Sequence, residues 1–313
     1  MQVYLKKLVA AFVAIALIIV LLLTIIPSLK PKCDVGVFYY VWYNLEDPVS
    51  WESNKIVDRP IVGYYNSCDS ELIKQHFTWL DELKIDFCVI SWWGFYNQSD
   101  WNVFINKATS QVFRIVEENP TKVKLCIMIE PFIDKTVFPD WDYDYSEIYE
   151  YIYHSFVEPY RTIYYQYDGK PLICVFNDSA LTLRDTLPMD NRFTIITIGG
   201  SNKTSDWIYT DLPLNSSILG KRQISVTPRF DDSRFRDPGL TIDANLSENV
   251  YSKEWSIAIE AAKQNRIDII TICSWNEYSE RTIIEPHRDA TAFIDDPYLL
   301  YEKTKKCIEE LKS

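Results

Sequence analysis

The chain has 313 residues, of which 47% are hydrophobic and 15% are aromatic, so it can bury a sizeable core and is not an intrinsically disordered protein. Its formal net charge of −12 argues against a nucleic-acid partner, because binding to phosphate backbones relies on clustered Lys and Arg, which the sequence lacks. The 21 Tyr and 10 Trp residues suit a neutral polar ligand such as a sugar, although many of them must fill the core.

An uninterrupted apolar run lies near the N-terminus, at residues 8–26, and follows Lys6 and Lys7. A helix of that length can cross the hydrocarbon of a bilayer. No small-x-small cleavage motif follows the run, so it is predicted to be an uncleaved signal anchor. Residues 1–33 then form a transmembrane segment with a short linker. Residues 34–313 form one domain outside the cytoplasm, at the cell surface or in a lumen, or secreted if the run is cleaved. Five Asn-x-Ser/Thr acceptors fit an exported glycoprotein: Asn97, Asn177, Asn202, Asn215 and Asn245.

Short apolar or β-branched runs alternate with longer helical patterns after residue 33, which indicates βα units and a mainly parallel sheet. Eight strands are predicted, at 35–42, 86–92, 123–129, 171–176, 194–198, 207–209, 224–226 and 268–273. The sixth and seventh have the weakest pattern. Helices are predicted at 69–83, with Asp69 as N-cap, and at 101–118, 146–165, 251–264 and 298–311. These units match a single (β/α)8 TIM barrel, an α/β fold that needs about 250 residues.

The spacing of cysteine and histidine gives no sign of a metal site, and no cofactor is expected. Four cysteines lie inside apolar strand-like runs and are expected to be buried thiols: Cys88, Cys126, Cys174 and Cys273. Cys33, Cys68 and Cys307 lie outside these runs and can pair if the compartment is oxidising. His76 lies on the predicted helix at 69–83 and is interpreted as a structural histidine.

A TIM barrel carries its catalytic groups on the loops that follow the C-terminal ends of its strands. In this chain those positions hold acids, amides, an arginine and aromatic rings: Tyr43, Trp93, Glu130, Asn177, Arg229, Asp231, Trp275, Asn276, Glu277, Tyr278 and Glu280. Carboxylates transfer protons, amides and guanidinium groups bind hydroxyls, and rings stack on sugars, so this set is typical of a glycosidase subsite. Acids as close as Glu277 and Glu280 are tolerated only where one holds a proton or both face a ligand.

Four segments of the chain, in the same order, resemble glycoside hydrolase family 99, the endo-α-mannosidases and endo-α-mannanases. They are FYYVWY at 38–43 with GYYNSCD at 63–69, IEPF at 129–132, VTPRFDDSRFR at 226–236 and SWNEYSERTIIEP at 274–286. The last segment is similar to the family's WNEWHEGTQIEP signature and is the most specific. The resemblance implies an eight-stranded βα barrel that cleaves internal α-mannosidic bonds in glycans, with retained anomeric configuration and without a metal.

The resemblance also implies a role for each acid of the pair. Glu277 matches the residue that takes the proton from the sugar's 2-hydroxyl, whose oxygen then attacks C1 and forms an anhydrosugar. Glu280 matches the residue that protonates the leaving oxygen and later activates water. A general acid must hold its proton near neutral pH while the base stays ionised, so the environments of the two carboxyl groups must differ.

The chain departs from the family pattern around this pair. Tyr-Ser replaces Trp-His after Glu277, and Arg281-Thr-Ile replaces Gly-Thr-Gln after Glu280. Arg281 is expected to pair with Glu280, which would oppose its role as an acid. Arg229 stands where the family usually has Gly, and it is expected to fill a subsite or to bind an acidic sugar.

Further expectations concern neighbouring residues. Glu285 is expected to be structural, as a cap or as the partner of Arg288. Glu130 is expected to bind substrate or to orient Arg229. Trp92 and Trp93 point to opposite faces if their strand continues, so one of them is expected to stack on a sugar and the other to pack in the core.

Two functions of other classes remain open. One is a carbohydrate-binding protein of the same fold that has lost catalysis through the changes around the carboxyl pair. The other is a membrane-associated transferase for polysaccharide assembly. The sequence shows no Gly-rich or DxD-like nucleotide-diphosphate site, which argues against the transferase.

Overall fold

The computed structural model describes residues 33–47, 49–52, 55–96, 99–131, 144–176, 187–199, 205–210, 222–242, 250–289 and 296–313. In these ranges, no helix combines the length and the apolar character that crossing a membrane requires. The predicted signal anchor at 8–26 lies outside the described residues, and so do all five Asn-x-Ser/Thr sites.

Eight parallel strands form the barrel, and they correspond one by one to the eight predicted runs. In chain order they are β1 Asp34–Tyr40, β2 Phe87–Trp92, β3 Lys124–Ile129, β4 Lys170–Phe176, β5 Thr194–Gly199, β6 Trp207–Ile208, β7 Gln223–Val226 and β8 Ile269–Ile272. The ladders run in the order β6-β5-β4-β3-β2-β1-β8-β7. Most strand residues are buried on both faces, as expected for a parallel sheet that is covered by helices. The predicted βα barrel is confirmed.

The barrel closes between β6 and β7 through side chains. Gln223 is fully buried, and its amide oxygen accepts a hydrogen bond from Ile208 N (2.9 Å), while its amide nitrogen donates to Ile208 O (2.9 Å). Farther along the seam, Ser225 Oγ donates to Tyr209 O and the hydroxyls of Thr210 and Thr227 lie 3.1 Å apart. The amide of Gln223 thus satisfies the two backbone groups of a strand edge that would otherwise be open.

Within the described ranges, five helices cover the barrel: α1 Ser70–Glu82, α2 Asp100–Glu118, α3 Tyr145–Ile152, α4 Val250–Lys263 and α5 Leu299–Lys312. Asp69 caps α1 as predicted, since its Oδ1 accepts hydrogen bonds from Glu71 N (2.8 Å) and Leu72 N (3.2 Å). The helix predicted at 146–165 is too long. It ends in a π-helical turn, Tyr153–Val157, because Tyr165 N and Ile163 O bond the backbone of Leu125 in β3.

Two short antiparallel pairs organise the loops at the C-terminal end of the barrel. Arg59–Pro60, in the loop after β1, pairs with His287–Arg288, in the loop after β8. Phe230–Asp231 and Thr241–Ile242 form a small hairpin in the loop after β7. All seven cysteines lie among the described residues and are free thiols, so the pairing left open for Cys33, Cys68 and Cys307 is absent.

Replacement of Gln223 by Leu tests the side-chain closure of the barrel. We expect Gln223→Leu to lower the free energy of unfolding by about 2–4 kcal/mol, because it leaves the N–H and C=O groups of Ile208 buried without their partner. Urea denaturation followed by tryptophan fluorescence measures the change. Gln166→Leu, at an exposed glutamine, is the matched control and is expected to change stability by about 0.5 kcal/mol or less. Equal stability of the two variants would contradict this account of the seam.

Candidate active site

Two tyrosines from opposite sides of the barrel meet at its C-terminal end. Tyr40 ends β1 and Tyr209 follows β6, and their hydroxyl oxygens are 2.5 Å apart. Burial raises the pKa of both phenols far above the ordinary value, and the nearby carboxyl groups of Glu277, Glu280 and, for Tyr40, Glu130 raise it further. The two neutral hydroxyls therefore lie within the electrostatic reach of the acids.

Glu277 and Glu280 follow β8 and interact with each other. The Glu277 residue is 3% exposed, and burial followed by the charge of Glu280 raises the pKa of its carboxyl group well above the usual range. Its Oε1 accepts a hydrogen bond from Ser279 N (2.8 Å), and its own N–H donates to Ser274 Oγ (2.9 Å). The Glu280 side chain is 17% exposed. The two acids thus have the unequal environments that an acid–base pair requires.

Glu130 is a third acid of the same group, placed directly after β3. Burial raises its pKa to about 8, against a smaller lowering effect from the hydroxyl of Ser91, and the charge of Glu280 adds to the rise. Ser91 Oγ donates to Glu130 Oε1 (2.7 Å) and accepts from Trp93 Nε1 (3.2 Å). Arg229 binds Asp58, Asp289 and the backbone oxygen of Arg281 and not Glu130, so the expectation that Glu130 orients Arg229 is wrong.

Partly buried aromatic rings line the rim beside the acids. The rings of Trp42 and Tyr40 have centroids 4.5 Å apart, Trp42 and Trp93 are 6.3 Å apart, and Trp93 and Trp101 are 4.9 Å apart. Trp92 points the other way, is fully buried, and donates through Nε1 to the side chain of Asn106 (2.9 Å). The expected opposite orientation of Trp92 and Trp93 is confirmed, and Trp93 is the one at the rim.

Four residues that were predicted to contact the ligand are buried: Tyr43 after β1, and Trp275, Asn276 and Tyr278 in the loop after β8. Asn276 accepts from Tyr40 N (2.8 Å) and donates to Tyr40 O (2.9 Å), which joins the end of β1 to this loop. Tyr43 OH donates to Asn276 O (2.8 Å) and accepts from Tyr278 N (3.0 Å). Trp275 is fully buried, and the centroids of its ring and the His76 ring are 5.4 Å apart. These buried contacts therefore hold the loop after β8 against the end of β1 and against His76.

A buried carboxylate network holds the far end of this loop. Glu285 is fully buried and accepts hydrogen bonds from Tyr65 OH (3.0 Å), Tyr278 OH (3.0 Å) and His76 Nε2 (3.1 Å). His76 Nδ1 in turn accepts from Tyr39 OH (2.8 Å). Glu285 and His76 are structural as expected, but the carboxylate is bound by neutral donors and imidazole and not by Arg288.

A second buried network contains both arginines that depart from the family pattern. Arg281 donates to Asp58 (2.8 and 3.0 Å), Asp231 (3.0 Å) and Asp289 (3.0 Å). Arg229 donates to Asp58 (2.7 Å), to Asp289 and, through Nε, to the backbone oxygen of Arg281 (2.8 Å). Both arginine side chains are 5% exposed. The network joins the loops after β1, β7 and β8.

These contacts change the interpretation of both departures. The guanidinium group of Arg281 binds three aspartates, and Glu280 is contacted instead by Arg236, whose Nη1 and Nη2 both lie 3.1 Å from Glu280 Oε1. Arg229 is enclosed by acids of the protein itself, which leaves the expected binding of an acidic sugar without support. Arg281 has a φ of +56°, in the left-handed region that favours Gly.

Sequence reasoning missed several residues of this site. Tyr40 lies in the FYYVWY segment, where Tyr43 was the predicted site residue, and Tyr209 follows one of the two weakest strand patterns. Asp58 lies more than two hundred positions from its partner Arg281, so no local signal could pair them. Arg236 was visible in the VTPRFDDSRFR segment, but its partner was not. The predicted ligand contact Asn177 lies outside the described residues.

The similarity of this chain to known proteins is found among solved structures. No protein-family model matches this chain, and no curated protein is similar to it. Among solved structures, the glycoside hydrolase family 99 endo-α-mannosidase from Bacteroides thetaiotaomicron matches with a TM-score of 0.66 and 20% sequence identity, over 89% of this chain and 97% of that chain. A complex of such an enzyme from this bacterium with bis-tris-propane gives 0.63 at 22% identity, over 89% and 97%.

A glycoside hydrolase-like protein matches with a TM-score of 0.58 at 13% identity, over 90% of this chain and 94% of that chain. At these identities the similarity shows a shared fold. The resemblance to glycoside hydrolase family 99 that the four sequence segments indicated is thus confirmed at the level of the fold.

Replacement of Arg281 tests the network behind the carboxyl pair. We expect Arg281→Ala to lower the free energy of unfolding by about 3–5 kcal/mol, because it removes one partner from several buried ion pairs. Arg281→Gly is expected to be less destabilising than Arg281→Ala by about 1 kcal/mol, because Gly accepts a positive φ without strain. Urea denaturation measures both, with Arg288→Ala at an exposed arginine as control. Equal effects at the two arginines would exclude the structural role.

The raised pKa of Glu130 predicts a pH dependence of stability. A carboxyl group whose pKa rises from 4.5 to about 8 on folding stabilises the fold below its unfolded pKa, and this contribution is lost as pH rises through 8. Glu130→Gln cannot ionise, so its stability relative to wild type should rise by a few kcal/mol at most between about pH 5 and pH 8. Urea denaturation across this range measures the difference. Glu309→Gln, at an exposed site, should show the same change of stability with pH as wild type. The same result for Glu130→Gln would contradict the raised pKa of Glu130.

Proposed function

We propose that this chain is a retaining glycoside hydrolase that acts on α-mannose-containing or related glycans. One observation carries the proposal. Glu277 and Glu280 interact as unequal carboxyl groups at the C-terminal end of a (β/α)8 barrel, where such barrels hold their active sites. The fold shared with endo-α-mannosidases of glycoside hydrolase family 99 supports this class of reaction.

The proposed first step forms an anhydrosugar. Glu277, as carboxylate, takes the proton of the 2-hydroxyl, and the oxygen of that hydroxyl attacks C1 with its electron pair. The bond between C1 and the glycosidic oxygen breaks, and Glu280 gives its proton to the leaving oxygen. The charge of each acid changes by one in opposite directions, so the pair as a whole neither gains nor loses a proton.

The proposed second step reverses these roles. Glu280, now ionised, takes a proton from water, whose oxygen attacks C1 of the anhydrosugar. The bond between C1 and the 2-oxygen breaks, and Glu277 returns its proton to that oxygen. Two displacements at C1 give overall retention of the anomeric configuration.

The remaining candidates have three proposed roles: contact with the ligand, shaping of a loop, and support of the site. Trp93, on the aromatic rim, is proposed to stack on a sugar ring, and Glu130 to hydrogen-bond its hydroxyls. Asp231 is partly exposed but accepts from Arg281, Ser233 and Thr241, so we propose that it shapes the loop after β7. Five other buried candidates are proposed to support the site without contacting the ligand: Tyr43, Arg229, Trp275, Asn276 and Tyr278.

A carbohydrate-binding protein without catalysis is the second candidate. The observation that favours it is the contact of Arg236 with Glu280, since a guanidinium group stabilises the ionised form of a carboxyl group. A protein that binds glycans on the aromatic rim and hydrolyses none of them would have this function. The same experiment separates the two candidates.

Hydrolysis of a glycan panel by the purified protein, with the anomer of the product followed by NMR, tests the proposal. We expect release of product with retained configuration from an α-mannoside. Glu280→Gln and Glu277→Gln should each lower kcat by about 10²–10⁴-fold and leave glycan binding within a few-fold of wild type, because each removes one proton-transfer group.

Glu302→Gln, at an exposed site on α5, is the control and should retain full activity. Unchanged turnover in Glu280→Gln would remove that residue from the acid role. Binding without hydrolysis in the wild-type protein would favour the carbohydrate-binding function, and an inverted product would exclude the anhydrosugar route.

A further inference from the structure

Arg236 is the cation in contact with the carboxyl pair within the described ranges. Both terminal nitrogens of its guanidinium group lie 3.1 Å from Glu280 Oε1. Its side chain is 58% exposed, so it lies at the open side of the site. Among the roles given above to acids, rings and buried networks, none accounts for an arginine at this position.

The loop after β7 is built to hold this arginine against Glu280. Asp232 is buried, accepts the guanidinium group of Arg236 at Oδ2, and accepts Leu240 N at Oδ1 (2.6 Å). The same loop bonds the backbone of Glu280, since Asp231 N donates to Glu280 O (2.9 Å). Nη1 of Arg236 therefore donates both to the buried aspartate and to Glu280, and Nη2 donates to Glu280 alone.

The groups around Glu280 show what this contact does. Glu277 and Glu130, from the loops after β8 and β3, both interact with its charge. The thiol of Cys273 and the phenol of Tyr209 do so as well. The thiol and the phenol are neutral and add no charge, while an ionised Glu277 or Glu130 disfavours a charge on Glu280. The adjacent cation Arg281 binds three aspartates, and the guanidinium group of Arg236 lies against Glu280.

This arrangement favours the protonated form of Glu277 and the ionised form of Glu280, which is the opposite of what the proposed first step needs. A guanidinium contact favours the ionised form of Glu280, while burial away from that contact favours the protonated form of Glu277. The first step needs the reverse, with Glu277 ionised and Glu280 protonated. Some change on ligand binding must therefore exchange the two protonation states.

We propose that Arg236 is a positioning residue that keeps Glu280 ionised in the ligand-free protein and withdraws from it when a glycan binds, so that one proton passes from Glu277 to Glu280. The inference rests on the proposed function. The proton leaves the Glu277 carboxyl group and ends on the Glu280 carboxylate, and no other group gains or loses a charge. Arg236 can turn toward sugar hydroxyls while it keeps its bond to Asp232, because its side chain is largely exposed.

The pH dependence of Arg236→Met tests this inference. In a plot against pH, the rising and falling limbs of kcat/KM report the pKa values of the free enzyme, and those of kcat report the pKa values of the enzyme–substrate complex. Loss of the cation should move the limbs of kcat/KM upward by about one pH unit, since an opposite charge at this distance lowers a carboxyl pKa by about 1–3 units. The limbs of kcat should move much less, because Arg236 has already left Glu280 in the complex. Arg236→Lys keeps the charge and should lie close to wild type.

Arg234→Met, two positions away on the same exposed loop, is the matched control and should leave both profiles unchanged. Unmoved limbs of kcat/KM in Arg236→Met would overturn the proposal, because the arginine would then have no effect on the pair. An equal shift in kcat would also overturn it, because Arg236 would then remain on Glu280 in the complex.

A titration that needs no turnover keeps this test separate from the proposed function. In ligand-free protein labelled with 13C-glutamate, the carboxyl resonance that disappears in Glu280→Gln should titrate at higher pH in Arg236→Met than in wild type. A wild-type protein that hydrolyses no glycan would refute the proposed function and the withdrawal step. The titration would still decide whether Arg236 keeps Glu280 ionised, and an unshifted resonance would refute that contact's role.

Discussion

The site depends on holding three carboxyl groups close together with little water. Like charges in such a place repel, and burial penalises each ionised form. The three carboxyl groups differ in burial and in the groups that contact them. Glu277 is buried with a backbone donor from Ser279, Glu130 is buried with the hydroxyl of Ser91, and Glu280 remains partly exposed with a guanidinium group. Unequal surroundings let one member of the group carry charge while its neighbours hold protons, which is the condition for acid–base chemistry.

Holding the acids in place requires that the loop after β8 cannot relax. Two buried networks prevent this by different means. Around Glu285 the donors are two phenols and an imidazole. Around Arg281 the contacts are ion pairs with three aspartates from separate loops. Asn276, between them, bonds both backbone groups of Tyr40 and so joins this loop to the end of β1. The acids are thus presented on a frame whose rigidity comes from buried hydrogen bonds.

Local pattern was sufficient for the strands and for most helices, because period and capping act over a few residues. The run at 268–273 and the Asp69 cap show this most clearly. The prediction of a helix at 146–165 was wrong at its C-terminal end, where the backbones of Ile163 and Tyr165 bond Leu125 in β3. The helical periodicity of the sequence carries no information about such a contact. The predicted partners of Arg281 and Glu285 were wrong for the same reason. Arg281 was expected on its neighbour Glu280, yet its partner Asp58 comes from a distant part of the chain, and Glu285 found tyrosines and a histidine where Arg288 was expected.

The two arginines that depart from the family pattern are best understood as one change. Arg229 and Arg281 looked unrelated in the sequence, but Arg229 donates to the backbone oxygen of Arg281 and both bind Asp58 and Asp289. Either arginine alone would leave two buried aspartates with a single cation, which is costly in a desolvated site. The pair lies behind the acids and not in the space before them. Its presence therefore bears on how firmly the loop is held, and it gives no argument that catalysis has been lost.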